Sequence, residues 1–495
     1  MNDKVERWGL FEEAFRVSFN GNPFTDVNLK AVFKHEKMAV ETDGFYDGND
    51  TYKIRFMPEM TGEWTYVTSS NLPSLDGKIG RFECTQPSSD NHGYVKVKDQ
   101  FHFEYADGTS HYSFGTTCYA WIHQPMELQA KTLETLKLSP FNKIRMCVFP
   151  KHYDYNLNEP LLYPFEKTPE GIFDFTRPDT GFFRHLEKRI LELQELGIEC
   201  DLILFHPYDR WGFSDMGFER DCSYLKYTIS RLAHYRNIWW SLANEYDLFI
   251  DWQTNVPKKT EDDWDRYFHI IQRYDPYQHL RSIHNCRAFY DYGKPWVTHC
   301  SIQRQDTFRT SENTDVWRNL YKKPVVIDEC AYEGNINHGW GNITGEEMTR
   351  RFWEGVVRGG YMGHGETYVH PNDILWWSHG GVLHGTSPDR IAFLREILKN
   401  APGPLTPVTD LEKDARHYWD VTCGVVGQEY YLFYFGFYQP SFRHFILPEN
   451  KKYKLEIIDT WNMTIHEVPG IFSGRFNIAL PSRQYIAVRI TQVRK

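Results

Sequence analysis

Two short stretches carry residue types that could act together on a substrate. The first, Asn237-Ile-Trp-Trp-Ser-Leu-Ala-Asn-Glu-Tyr-Asp247, is apolar until it turns polar at Asn244 and Glu245. The second, Lys322-Lys-Pro-Val-Val-Ile-Asp-Glu-Cys330, is apolar until Asp328 and Glu329. Short, bounded apolar runs have the pattern of parallel strands buried on both faces. In an α/β barrel, such strands deliver their C-terminal residues to the reactive face. Two strand tips ending in Glu supply a paired set of carboxyl groups. One can give a proton and the other can attack, as hydrolysis of a glycosidic bond requires.

These tips need a scaffold. From about residue 111 the pattern alternates strand and helix, which predicts a parallel sheet. Eight strands are expected: His111–Cys118, Lys143–Phe149, Glu199–Phe205, Ile238–Ala243, Arg281–Ile283, Trp296–Cys300, Val325–Asp328 and Tyr361–Gly365. The clearest helix is 181–196, with apolar positions 182, 183, 186, 190, 193 and 196 on one face and Gly197 as its stop. Helices are also expected over 222–235, 262–274 and 345–359. The fold class is therefore α/β, a (β/α)8 TIM barrel over residues 87–400. Residues 1–86 alternate in the strand period between turn signals such as Asn20-Gly21, Asp43-Gly44 and Asp47-Gly48, and predict a β-sandwich. Within it, the loop Gly44–Gly48 is read as structural. A hairpin around Asp107-Gly108 precedes the barrel. After Ala401-Pro-Gly-Pro404, residues 401–495 return to strand-like runs and predict a second β-sandwich.

The remaining tips complete a candidate site. Arg145 lies inside an apolar strand and needs a carboxylate partner. His206 follows the third strand, and the sixth is expected to end in His299, with Gln303 beyond. Both histidines are candidates for contact with a sugar; the alternative is a hydrogen-bonded core histidine. Glu366 follows the eighth strand, and Trp376 and Trp377 lie in the loop beyond it, where an indole could form a platform under a sugar ring. Tyr119, Trp121 and His123 follow the first strand as further candidate lining. Asp328 and Glu366 compete with Glu329 for the attacking role, but Asp328 should point away from Glu329 if both stay in the strand.

The Asn-Glu at a fourth strand, the Glu at a seventh, Arg145 and His206 together resemble the large clan of retaining glycoside hydrolases built on the (β/α)8 barrel. Gly44-Phe-Tyr-Asp-Gly48, Arg55-Phe-Met-Pro58 and Thr61-Gly-Glu-Trp64 look like the sandwich domain that precedes such barrels in poorly characterised bacterial glycosidases. The C-terminal region is similar to the small β-domain that accompanies them. The resemblance implies that Glu245 is the general acid/base and Glu329 the nucleophile. It implies that Asn244 bonds the hydroxyl beside the anomeric carbon and that Arg145 keeps Glu329 ionised. Desolvation beside Trp239 and Trp240 would raise the Glu245 pKa.

Composition narrows the partners. The net charge of −10 argues against nucleic acid and anionic membrane. There is no apolar run long enough for a transmembrane helix and no Gly-rich phosphate loop. The first residues lack the apolar stretch of a signal peptide, and nine cysteines without C-x-x-C spacing read as free thiols, so a cytoplasmic location is expected. Aromatic residues reach 16%, which suits a sugar-binding cleft. The expected partner is a carbohydrate, processed from one end, with no metal and no cofactor; a homo-oligomer is left open. Two rivals remain. One is a metal-dependent hydrolase on the same barrel using His206, His284, His299 and His364. The other is a catalytically dead carbohydrate-binding protein.

Overall fold

The computed structural model describes residues 4–36, 38–307, 309–369, 375–408 and 421–493. At its centre eight parallel strands form a nearly closed barrel. They are β1 (Phe114–Thr117), β2 (Lys143–Cys147), β3 (Glu199–Phe205), β4 (Ile238–Ala243), β5 (Arg281–Ser282), β6 (Cys300–Gln303), β7 (Val325–Glu329) and β8 (Tyr361–His364). Pairing runs β5-β4-β3-β2-β1-β8-β7-β6, and a single bridge between His284 and Ser301 joins the two ends. Every residue of β2, β3, β4 and β7 is buried, the expected state for strands covered by helices outside and side chains inside.

Outer helices follow most strands: α1 (Met126–Leu138), α2 (Thr180–Glu195), α3 (Phe218–Leu232), α4 (Glu261–Tyr274), α5 (Thr314–Tyr321) and α6 (Gly345–Val357). Beyond β8 come the short α7 (Trp376–His379) and the longer α8 (Ser387–Lys399). The β5–β6 connection carries no helix; Tyr290 and Tyr292 bury themselves there instead. Local chemistry explains the helix ends. Asp179 caps α2 by accepting from the Phe182 amide at 2.9 Å, and Gly197 takes φ +69° just beyond it. Thr260 and Asp263 form a reciprocal capping box on α4.

The N-terminal region consists of a five-stranded and a three-stranded sheet. It is pinned to the barrel by buried charge. Arg55 donates to Glu187 on α2 and to the Arg231 carbonyl on α3, while Arg231 pairs with Glu187 and with Asp47. Burial works to raise the Glu187 carboxyl, but Arg55 and Arg231 override it and hold it at about 2. The loop Gly44–Gly48 thus serves docking through Asp47, as its structural reading expects. A small three-stranded sheet closes the barrel floor, where Phe103 packs on Trp239 and Tyr361. The C-terminal strands form a six-stranded and a two-stranded sheet around a core that includes Phe433, Phe445, Leu455 and Val488. All nine cysteines are free thiols.

Candidate active site

Asn244 and Glu245 follow β4 directly, and Glu329 ends β7. Glu245 adopts φ +50°, in the left-handed region that costs a residue with a side chain free energy. That turn ends the strand and swings the carboxyl group out of the ladder. Both glutamates line one cavity of about 280 Å³ at the C-terminal mouth of the barrel.

The two carboxyl groups share a polar net. Tyr119 donates to Glu329 Oε1 and also lies 3.0 Å from Asn244 Oδ1. Arg145 reaches Asn244 Oδ1 at 3.2 Å and lies 3.9 Å from Glu329 Oε1. Gln305 donates to Glu329 Oε2 at 3.3 Å. On the other side, Tyr208 donates to Glu245 Oε2 at 2.5 Å and Asn244 donates to the same oxygen at 3.2 Å. The Gln303 amide, turned with its nitrogen toward Glu245, donates to Oε1 at 3.2 Å and lies 3.2 Å from His284 Nε2. His284 Nε2 is in turn 3.4 Å from Glu329 Oε1. One histidine and one glutamine therefore connect the two acids.

The electrostatics depart from expectation at Glu329. Burial pushes its carboxyl up to about 8. Arg145 does not keep it in the ordinary range, because the guanidinium is 3.9 Å away and is shared with Asn244 and Asp201. Asp328, next in the chain, faces the barrel interior and pairs with Lys143 at 2.7 Å. Burial works against its charge, but Lys143 and Arg145 hold it far down. Alternation along β7 thus puts one acid in a cationic core and its neighbour in a pocket with a weaker countercharge.

Several expected lining residues lie elsewhere. His299 precedes β6 rather than ending it, because pairing begins at Cys300; it sits near the barrel floor against Trp239 and Phe103. Trp121 is fully buried beside the Met146 sulfur, and Trp376 is buried with its indole donating to Thr116 at 2.9 Å. Only its neighbour Trp377 reaches the cavity, since successive helical residues face different ways. His206 stands behind the wall. Its Nε2 lies 3.1 Å from the Phe149 carbonyl, and its Nδ1 accepts from the Tyr208 amide at 3.2 Å. Glu366 accepts the His384 and Gly385 amides and ties down the segment after α7. His364 contacts Thr116 and stacks on Phe141, so the four histidines of the metal rival do not converge. Among the described residues, no group of three or more His, Cys, Asp or Glu could hold a metal ion.

The sequence reading passed over Lys151, Tyr153, Tyr332 and Trp340, which line the cavity. A signal existed for the first two: Lys151-His-Tyr-Asp-Tyr155 is a polar-aromatic run immediately past a strand tip. Tyr332 and Trp340 lie in an irregular loop whose path no periodicity reveals.

Residues 97–389 match the model for the apiosidase-like catalytic domain. The chain belongs to that family. Two further models match the flanks, each a domain of unknown function: DUF5060 over residues 4–71 and DUF5605 over 419–491. A candidate glycoside hydrolase from Bacteroides vulgatus is similar over its whole length, with 43% identity, TM-score 0.92, and coverage of 99% of this chain and 100% of that one. A glycoside hydrolase family 5 protein from the same organism matches at 14% identity and TM-score 0.61, covering 81% of this chain and 94% of that one; it shares the fold. No curated protein shows a significant match.

Proposed function

We propose that the protein is a retaining glycoside hydrolase that removes a terminal sugar, with Glu245 as acid/base and Glu329 as nucleophile. The observation that carries this is the convergence of the β4 and β7 tips on one cavity, with Asn244 contacting both halves of the site. In the first step Glu329 attacks the anomeric carbon while Glu245 protonates the departing glycosidic oxygen, giving a glycosyl ester and a free alcohol. In the second, Glu245 takes a proton from water, and the resulting attack on the anomeric carbon releases Glu329. Tyr208, Asn244 and Gln303 hold Glu245 in place for both transfers. Action from a chain end is supported by size. The cavity is slightly below the usual small-ligand range of about 300–1,000 Å³, enough for one sugar ring but not for several.

The test is a panel of aryl glycosides with the first-formed anomer followed by NMR. Retention is expected, and inversion refutes the nucleophile. Because the raised Glu329 carboxyl also suits a proton donor, the roles need separate proof. Glu329→Gly supplied with azide should yield the glycosyl azide of inverted configuration. A retained azide from that variant would exchange the two roles.

A further inference from the structure

Among the described residues lining the cavity Lys151 is the one cation, and nothing in the double displacement uses it. It is 2% exposed and lies just past β2. Its ammonium sits inside a cage of rings: 3.8 Å from the centre of Tyr119, 4.3 Å from Tyr208, 4.7 Å from Tyr153 and 5.7 Å from Trp377. Two of these rings, Tyr119 and Tyr208, carry the hydroxyls that hold Glu329 and Glu245. Among the described residues no acceptor makes a hydrogen bond or close ion pair with Nζ, and Glu245 favours its charge only from farther off. The backbone beneath is fixed, since the Lys151 carbonyl accepts from Asn156 at 2.5 Å and the next amide donates to the Tyr208 carbonyl at 2.9 Å.

A buried ammonium with three donors that rests on ring faces without a hydrogen-bond acceptor is incompletely satisfied. Cation–π contact with four rings offsets part of the desolvation cost, but rings accept no ordinary N–H···O bond. A neutral sugar hydroxyl would satisfy one donor. A carboxylate would supply acceptor oxygens and opposite charge together, and charge-assisted bonds are roughly twice as strong as neutral ones. The remaining objection is repulsion of an anion by the two glutamates. It is weakened because burial pushes Glu329 toward its neutral form, while the Lys151 ammonium, lowered to about 8 by burial, still carries its proton at neutral pH.

We infer that Lys151 is a specificity residue that selects a sugar bearing a carboxylate, a uronic acid, in the ring-sized cavity beside Glu245 and Glu329. This rests on the glycosidase reading for the location of the subsite, but its test is a binding measurement and needs no turnover. Calorimetric titration of the full-length protein at pH 6.5 would compare D-glucuronate, D-galacturonate and D-mannuronate, each against its parent hexose. At least one uronate should bind about tenfold or more tighter than its hexose, the gain of one charge-assisted contact. Lys151→Met keeps an unbranched side chain in the cage and should abolish the preference; Lys151→Arg keeps the charge and should retain part of it. Matching far-ultraviolet spectra and melting curves would establish that both variants fold. The inference is overturned if all three pairs bind alike, or if Lys151→Met weakens uronate and hexose equally. Turnover of aryl glycosides without a uronate preference would sink this inference alone. A uronate preference without any turnover would sink the glycosidase reading alone.

Discussion

Glu329→Gln should stabilise the protein, and increasingly so as pH rises. Glutamine keeps the shape of a neutral carboxylic acid and cannot ionise, while its amide oxygen can still accept from Tyr119. Burial moves the Glu329 carboxyl from its ordinary 4.5 to about 8 in the folded chain. The folded state therefore holds a proton that the unfolded state releases through the range between those values. Stability tied to this group is intact below the unfolded value, declines as pH rises through the interval, and is fully lost above the folded value. Integrating between pH 5 and pH 8 gives a loss of about 3 kcal/mol for the parent that the variant escapes. For a domain of this size that corresponds to roughly 6 °C in melting temperature. The assay is differential scanning calorimetry of parent and variant across pH 5–8, reading the difference between them so that all other titrations cancel. The variant should gain on the parent steadily over that range. A difference that stays flat would mean that Glu329 titrates alike in both states, and would remove the electrostatic account of the pocket. Such a gain would also show that the site holds its acid at a cost in stability, as functional sites commonly do.

Other outcomes follow from the same geometry. If Glu329 is the nucleophile, kcat/KM should rise with pH toward about 8, because attack needs the ionised form that burial disfavours; activity that instead falls across this interval would assign it the proton-donor role. Tyr208→Phe removes the 2.5 Å hydrogen bond to Glu245 and should lower kcat on aryl glycosides by roughly tenfold or more, with little change in melting temperature; an unchanged kcat would show that this contact is idle. Arg55→Met strips Glu187 of one of its two cationic partners and should destabilise the chain by about 3 kcal/mol, measured by urea unfolding. Lowering the pH through the Glu187 value of about 2 should weaken that same joint in the parent, because a carboxyl held down by partners stabilises the fold only while ionised.

The barrel interior below the site shows how the acids are kept distinct. Lys143 is fully buried and pairs with Asp201 and Asp328 at 2.7 Å each. Ser301 closes the group by donating to Asp328 at 2.6 Å. With one lysine against two carboxylates, this layer also draws on Arg145, which is shared between Asp201 below and the Asn244 and Glu329 oxygens above. Sharing is why the arginine orders the site without holding Glu329 ionised.

The sequence alone was sufficient for the architecture. Glu199–Phe205 and Ile238–Ala243 form strands where their apolar runs lie, and α2 begins beside its Asp179 cap and ends before Gly197. Such signals are local: period, caps and turn residues act over a few positions of chain. They also placed carboxyl groups at the ends of two buried strands. Tertiary structure alone decided which neighbours meet those groups. His299 fell to the barrel floor because strand pairing begins at Cys300, where the expected strand Trp296–Cys300 was to end, and such a shift exchanges mouth for floor. Trp376 turned into the core and Trp377 into the cavity, a matter of helix rotation that composition does not encode. The ring cage around Lys151 draws on residues 119, 153, 208 and 377, which are far apart in sequence. The ionisation of Glu329 depends on burial and on the distance to a shared arginine, and both exist only once the barrel has closed.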